Sequence, residues 1–209
     1  MIKIFGFTLI IAILFAGCST DTNNSIDVGD LQFNPNINYE SFTDSRDGQS
    51  YRTVKIGNRI WMAENFSYAN HSCGVSWCYE NNDAYCAAYG RLYDWCAAMS
   101  ACPDGWRLPS DADWYDLIRA AGSQEIAGEK FKSQTGWNSN GNGTDEFGFS
   151  ALPGGYGRSC HRAFIGAGSS GFWWGATELG AWIMGADYEG MEASFIGANA
   201  GLSVRCVRD

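Results

Sequence analysis

The stretch from Leu92 to Leu117 constrains the fold most strongly, because it contains two short helical patterns separated by a turn. The apolar residues of the first pattern recur at the spacing that places them on one helix face: Leu92, Trp95, Cys96 and Met99. Cys102-Pro103 ends this pattern. Ser110 is a good N-cap for the second helix, and Asp113 can partly mimic the returning acid of a capping box.

The second helix should end at Gly122, and its inner face should comprise Trp114, Leu117, Ile118 and Ala121. A third short helix is expected over residues 125–132. Before these helices, residues 51–56 and 59–63 predict a hairpin around a Gly57-Asn58 turn. After them come short apolar pieces separated by glycines and an alternating final strand over residues 202–207. The order predicts an α+β fold with two main helices packed on mostly antiparallel short strands with long loops.

The first residues of the chain are typical of an export signal, with Lys3 followed by an apolar run too short to span a bilayer. The boundary Ala16-Gly17-Cys18 resembles the signal of bacterial lipoproteins, in which cleavage leaves a diacylated cysteine. We therefore expect a signal peptide over residues 1–17, lipid on Cys18, a polar tether over residues 18–40 and one domain over residues 41–209. This predicts an outer-membrane lipoprotein of the cell envelope, facing the surface or the periplasm.

The chain is acidic, with a formal net charge of −9. That balance argues against a nucleic-acid partner, because phosphates select basic surfaces. Aromatic residues are abundant, with nine Trp and ten Tyr. They indicate either a loop-rich fold that packs around Trp or surface platforms on which sugars stack.

Seven cysteines remain if Cys18 carries lipid, and in an exported chain they favour disulfides over metal ligands. A bridge from Cys102 to Cys206 would close a loop of about 100 residues and tie the last strand to the first helix. A bridge from Cys78 to Cys86 would pin an irregular segment. For the others we favour Cys96 with Cys160, which leaves Cys73 over.

Four separated segments resemble the Fibrobacter succinogenes major paralogous domain family: TDSRDGQSYRTVKIGNRIWMAENFSY, YGRLYDWCAAMSACPDGWRLPSDADW, NGTDEFGFSALPGGY and SVRCVRD. The resemblance spans about residues 42–209. It implies a C-type lectin-like fold, similar to sulfatase-modifying-factor domains, and it maps Cys102 and Cys206 onto the bridge between helix and terminal strand. The segment Trp137-Asn138-Ser139 lacks the acid of calcium-dependent lectins. The reactive late cysteine pair of formylglycine-generating enzymes is also missing.

Candidate binding residues lie in the long loops between Trp137 and Asn199: Trp137, Asn138, Asp145, Trp173, Trp174 and Tyr188. At least one of Trp173 and Trp174 should belong to the core, because neighbouring residues of a strand face opposite sides. Oxygen atoms of the polar loop over residues 137–147 could supply some ligands of a calcium ion. No other cofactor or metal is indicated. The polar surface nearby could include Arg158, His161 and Arg162.

No motif for a nucleophile, a phosphate cradle or a metalloprotease is present. The segment over residues 154–158 is rich in glycine, but no clear helix follows it. The sequence therefore favours a module without catalysis that binds a polysaccharide or a surface protein. The alternatives are a structural envelope protein without a ligand and an oxidase of the formylglycine-generating type.

Overall fold

A computed structural model of the chain describes residues 33–69, 72–158 and 163–209. The expected signal peptide, Cys18 and Cys160 lie outside these ranges. The described helices are α1 (Asp83–Tyr89), α2 (Trp95–Ala101), α3 (Asp111–Ala121) and α4 (Gln124–Phe131). The described strands are β1 (Glu40–Thr43), β2 (Ser50–Ile56), β3 (Arg59–Met62), β4 (Ser76–Trp77), β5 (Leu92–Tyr93), β6 (Gly154–Arg158), β7 (Ala163–Ala167), β8 (Ser170–Trp174), β9 (Gly180–Gly185), β10 (Glu192–Phe195), β11 (Ala200–Ser203) and β12 (Val207–Arg208). This mixture of helices and sheets agrees with the α+β prediction.

The strands form two sheets. A four-stranded sheet has the order β1-β2-β3-β12. The larger sheet has the order β10-β9-β8-β6-β11-β5-β4, and β7 pairs antiparallel with β6 along the length of β6. Most pairs are antiparallel, as predicted, while β8 pairs in parallel with β6 and β11. The C-terminal residues enter both sheets, because β11 belongs to the larger sheet and β12 to the smaller one.

Helix α3 forms as its sequence predicts. The Ser110 hydroxyl accepts from the Asp113 backbone N–H, and the Asp113 carboxylate accepts from the Ser110 N–H, which completes the capping box. The apolar residues of its inner face are buried, and the helix stops at Gly122. The predicted hairpin is also present, with Val54 opposite Trp61. Capping and periodicity are local signals, so they can be read before any tertiary contact is known.

The buried face of α2 differs from the prediction. Its core-facing residues are Ala97, Ala98 and Ala101, whereas Met99 is 52% exposed. Leu92 precedes the helix and pairs with Ser203 as part of β5. The helix turns its alanines inward because small side chains allow its backbone to approach the sheet closely.

Three further elements of the structure differ from the sequence-based prediction. Helix α1 lies within a segment expected to be irregular, and its N-cap is Asn82, whose side chain accepts from the Ala84 N–H. The glycine-rich residues 154–158 form strand β6. The expected final strand is divided into β11 and β12, since the chain crosses from one sheet to the other between them.

The packed domain begins earlier than the expected boundary at residue 41. Asn34 is buried, and its amide donates to the Asp145 carbonyl at 2.9 Å. The Tyr39 hydroxyl lies 3.2 Å from Ser150 Oγ, and Ile37 packs on the core. The last part of the expected tether, residues 33–40, is therefore part of the folded unit.

Three disulfides join the described residues. Cys102–Cys206 and Cys78–Cys86 form as expected. Cys96 bonds to Cys73, so the expected pairing of Cys96 with Cys160 is wrong. Spacing along the sequence could not identify the partner of Cys96, because β4 and β5 bring residue 73 beside the start of α2.

A buried arginine lies at the crossing between the two sheets. Arg205 is 0% exposed, and its guanidinium donates to the carbonyls of Phe149 and Ser150. It also donates to Asn65 Oδ1 at 2.8 Å. Burial lowers the pKa of Arg205, and the negative charge of Asp145 opposes that effect. A buried charge is tolerated only when its hydrogen bonds are satisfied, so this cluster requires all of these segments in place.

We expect loss of the Cys102–Cys206 bridge to destabilise the chain more than loss of Cys78–Cys86. The bridges have sequence separations of 104 and 8. In the chain-entropy model these loops correspond to about 4.7 and roughly 2.5 kcal/mol. Urea unfolding of the C102A/C206A and C78A/C86A double variants measures the difference. Equal losses of unfolding free energy would contradict the expectation.

Asn34→Ala should lower the free energy of unfolding by about 1–3 kcal/mol, since it leaves a buried carbonyl of Asp145 without its amide donor. Asn36→Ala is the matched control, because Asn36 is exposed and only its backbone N–H bonds to Asn34. Urea unfolding of both variants provides the comparison. Indistinguishable stabilities would show that residues 33–40 do not belong to the cooperative unit.

Candidate functional site

An open groove of about 500 Å³ lies at one end of the larger sheet. Strands β6, β8 and β11 supply its floor, and the β10–β11 connection supplies its wall. Its lining residues are Tyr156, Arg158, Phe172, Phe195, Ile196, Gly197, Asn199 and Ala200. This volume falls in the range usual for small-molecule sites.

The pairing of β6 with β11 positions the groove. Gly157 lies opposite Gly201 in this antiparallel pair, and the indole of Trp77 packs on both glycines. A Cβ at Gly201 would lie 2.3 Å from the Trp77 ring, and one at Gly157 would lie 2.7 Å from its Nε1. Only glycine permits this contact on one face of the pair. Tyr156 and Arg158 alternate with Gly157 and therefore point to the opposite face.

The groove combines aromatic rings with polar groups. The Tyr156 and Phe172 rings meet edge to face, with centroids 4.9 Å apart. The Arg158 guanidinium carbon lies 6.0 Å from the centroid of the Tyr156 ring. Phe195 is 79% exposed, more than any other large apolar side chain among the described residues. Such an exposed ring beside half-buried rings presents an apolar surface that a ligand can cover.

The groove carries an unusual charge for this chain. The described residues of its lining include no Asp or Glu, although the sequence has 23 acids and 14 Lys or Arg. Among these described lining residues, Arg158 alone is charged, and its side chain is exposed. The groove is therefore a locally cationic site on an acidic protein.

Three residues expected to bind a ligand are core residues instead. Trp137, Trp173 and Trp174 are 4%, 0% and 0% exposed. The Trp173 indole donates to Asn65 Oδ1 at 2.8 Å, and the Trp174 indole donates to the Tyr93 carbonyl at 2.7 Å. Trp137 donates to the Ala151 carbonyl. Alternation places Trp173 and Trp174 on opposite faces, but both faces of β8 are covered.

The other expected binding residues lie outside the groove. Asp145 is 0% exposed and accepts from the Ser150 N–H and hydroxyl. Burial raises its pKa. Asn138 is exposed, and Tyr188 is 39% exposed, yet neither lines the groove.

Two of the side chains considered for calcium in the polar loop over residues 137–147 accept backbone hydrogen bonds. Asp145 faces the interior, and Asn142 Oδ1 accepts from the Trp137 N–H. Within residues 33–69, 72–158 and 163–209, no group of three or more His, Cys, Asp or Glu side chains is arranged to hold a metal ion. Asn142 and Asp145 thus accept from the backbone N–H groups of Trp137 and Ser150.

Of the residues singled out in the sequence, Arg158 lines the groove, while His161 and Arg162 lie outside the described residues. Tyr156, Phe195 and Asn199 line the groove as well, and the sequence did not identify them. Tyr156 and Arg158 alternate around Gly157, which is the two-residue period of a strand. Three glycines in five residues concealed that period.

The acids at the start of α3 serve the fold. Desolvation alone would raise the pKa of Asp113, but hydrogen bonds from Arg107, Ser110 and Arg59 lower it well below the usual range. The Asp113 carboxylate is 2% exposed and lies 2.9 Å from Arg59 Nε. Its ionised form therefore stabilises the domain at neutral pH.

We expect Asp113→Asn to lower the free energy of unfolding at pH 7 by about 2 kcal/mol, since charged hydrogen bonds are lost. The folded pKa lies below the unfolded value of about 3.9, so the stabilisation is present above that pH and is lost as pH falls through the folded pKa. The free energy of unfolding, measured in urea from pH 7 to pH 2, should therefore fall less steeply with decreasing pH in this variant than in the wild type.

Asp116→Asn is the control, because Asp116 forms only an exposed ion pair with Arg119. Such pairs contribute little. If the stability of Asp113→Asn falls as steeply with decreasing pH as that of the wild type, the role given to Asp113 is contradicted.

The longest described helix, α3, has 11 residues, and among the described residues no helix has the length and apolar character needed to cross a membrane. A family model described as Fibrobacter succinogenes major domain matches residues 54–208. No curated protein matches the chain. No solved structure matches it either.

Proposed function

The chain belongs to the Fibrobacter succinogenes major domain family, and from this premise we propose that it is an exported, lipid-anchored module that binds a carbohydrate. The ligand would occupy the groove between Tyr156 and Phe195. The observation that carries the proposal is the exposed aromatic surface of this groove beside polar groups. Its partners would be the outer membrane, through lipid on Cys18, and a polysaccharide.

Export is supported by the covalent chemistry of the domain. The described residues contain three disulfides, and such bonds persist in oxidising compartments rather than in the cytosol. The apolar run before Cys18 is typical of a lipoprotein signal. Acyl chains on Cys18 would hold the domain at the envelope, each buried methylene contributing about 0.8 kcal/mol.

Carbohydrate recognition is supported by the composition of the groove. Pyranose rings present apolar C–H faces and polar edges, so their sites combine aromatic rings with hydrogen-bonding side chains. Phe195, Tyr156 and Phe172 offer the rings, and the exposed Arg158 side chain offers N–H donors. The groove is open to solvent, so a saccharide longer than one ring could extend beyond it.

A C-type lectin-like layout is the fold proposal that accompanies this function. The terminal strand β12 pairs with β3 of the first hairpin. Cys206, next to β12, is bonded to Cys102 at the end of α2. Irregular segments connect the short strands of the larger sheet. These features support the proposed layout, which places binding surfaces on connections beyond the sheet.

We expect a panel of immobilised oligosaccharides to include sugars that the purified chain binds. Phe195→Ala should weaken that binding at least about fivefold, since truncating an aromatic anchor typically costs more than about 1 kcal/mol. Phe195 is mostly exposed, so the variant should keep wild-type stability in urea.

Tyr188→Ala is the matched control, because Tyr188 is a partly exposed aromatic residue outside the groove. It should leave the affinity unchanged. Loss of binding in Tyr188→Ala but not in Phe195→Ala would move the site away from the groove. If the wild type binds none of the oligosaccharides in the panel, carbohydrate binding is contradicted and a protein partner is favoured.

A further inference from the structure

We propose that the groove selects sugars that carry a carboxylate, namely uronic-acid saccharides, and that Arg158 binds that carboxylate. This inference rests on the proposed function and names the ligand class for the same site. Tyr156 and Phe195 contact the apolar faces of the sugar, while the Arg158 guanidinium pairs with its acid group.

The pairing pattern of the arginines is the first observation. Five described arginines form ion pairs with carboxylates: Arg46, Arg52, Arg59, Arg107 and Arg119. Arg158 forms none with the described residues, and neither do Arg91, Arg205 and Arg208. Arg91 and Arg205 donate instead to backbone carbonyls, and the Arg208 guanidinium lies over the Trp106 ring. Arg158 differs from these three in that its exposed side chain lines the groove. The four residues that follow Arg158 in the sequence include no Asp or Glu.

The surroundings of Arg158 are the second observation. The groove lining offers aromatic rings, small residues and the Asn199 amide, but no carboxylate. Within the described groove, the guanidinium therefore faces no competing acid. A ligand carboxylate bound here would meet a cation that no described acid neutralises, and a sugar covering the Tyr156 and Phe195 rings would displace part of the water around that pair.

The geometry of arginine gives the selectivity. A guanidinium presents parallel N–H donors that match the two oxygens of a carboxylate, which a hydroxyl or an ester cannot reproduce. The guanidinium carbon lies 6.0 Å from the centroid of the Tyr156 ring, at the outer limit of a cation–π contact. Arg158 and Tyr156 share one strand face, so ring and charge are presented together.

The overall charge of the protein affects the design of the test. A net charge of −9 repels long polyanions, but at physiological ionic strength charges beyond about 8 Å are largely screened. Short oligosaccharides at that salt concentration therefore report the local site. Galacturonate, glucuronate and mannuronate trisaccharides, each beside its own methyl ester, are suitable probes because esterification removes the charge and adds only a methyl group.

Calorimetric titration of the purified full chain should show at least about tenfold tighter binding of one acid trisaccharide than of its ester, the margin of a charged bidentate contact. Arg158→Gln should abolish that preference while still binding the ester as the wild type does. Arg158→Lys should retain part of the preference, since lysine keeps the positive charge but lacks the two parallel N–H donors of the guanidinium. Arg119→Gln removes the same charge outside the groove and should leave the preference intact.

The outcomes separate this inference from the proposed function. Equal binding of all acids and esters, with sensitivity to Phe195→Ala, would overturn the carboxylate assignment and leave carbohydrate binding in place. A preference that persists in Arg158→Gln would also overturn it, as would tighter binding of a sulfated trisaccharide than of any uronate. Absence of binding to every sugar would overturn both proposals.

Discussion

The buried guanidinium of Arg205 is the interaction on which the rest of the structure depends. Its oxygen partners come from the Phe149-Ser150 segment and from Asn65, so two distant parts of the chain must converge on it. Asn65 in turn accepts from the Trp173 indole and donates to the Tyr89 carbonyl. A misplaced segment would leave a charge buried without partners, which costs several kcal/mol. The cluster therefore specifies one arrangement of loop, hairpin and sheet.

This constraint reaches the groove through the C-terminal residues. Arg205 lies between β11 and β12, and Cys206 beside it is bonded to Cys102. Because the hydrogen bonds of Arg205 and the disulfide of Cys206 fix the chain directly after β11, this strand is held against β6. In that pair Ala200 lies opposite Arg158. The groove thus occurs where a rigid strand pair ends and the β10–β11 connection begins. Rigid support of this kind keeps a binding surface ordered before any ligand arrives.

Local signals in the sequence predicted the parts of the fold that local chemistry determines. The capping box at Ser110 and the hairpin turn at Gly57 each depend on residues that lie within a few positions of one another in the sequence. The Cys102–Cys206 bridge was expected from the family resemblance.

Partners set by tertiary packing were not predictable: Cys73 bonds to Cys96, and α2 buries alanines rather than Met99. Likewise, Trp137, Trp173 and Trp174 were candidates for a surface because sequence alone does not show that elements cover them on every side. Arg158 was noticed, but its isolation from acids appears only once β6, β8 and β11 are assembled.

The central claim is that the end of the larger sheet is the binding surface. Chemical-shift mapping by NMR, with the isotope-labelled chain titrated with a bound saccharide, tests it most directly. The account predicts perturbations concentrated at residues 156–158, 172 and 195–200, with little change at the polar loop over residues 137–147 or at Tyr188. Perturbations centred on that loop, or none in the groove at saturating ligand, would contradict it.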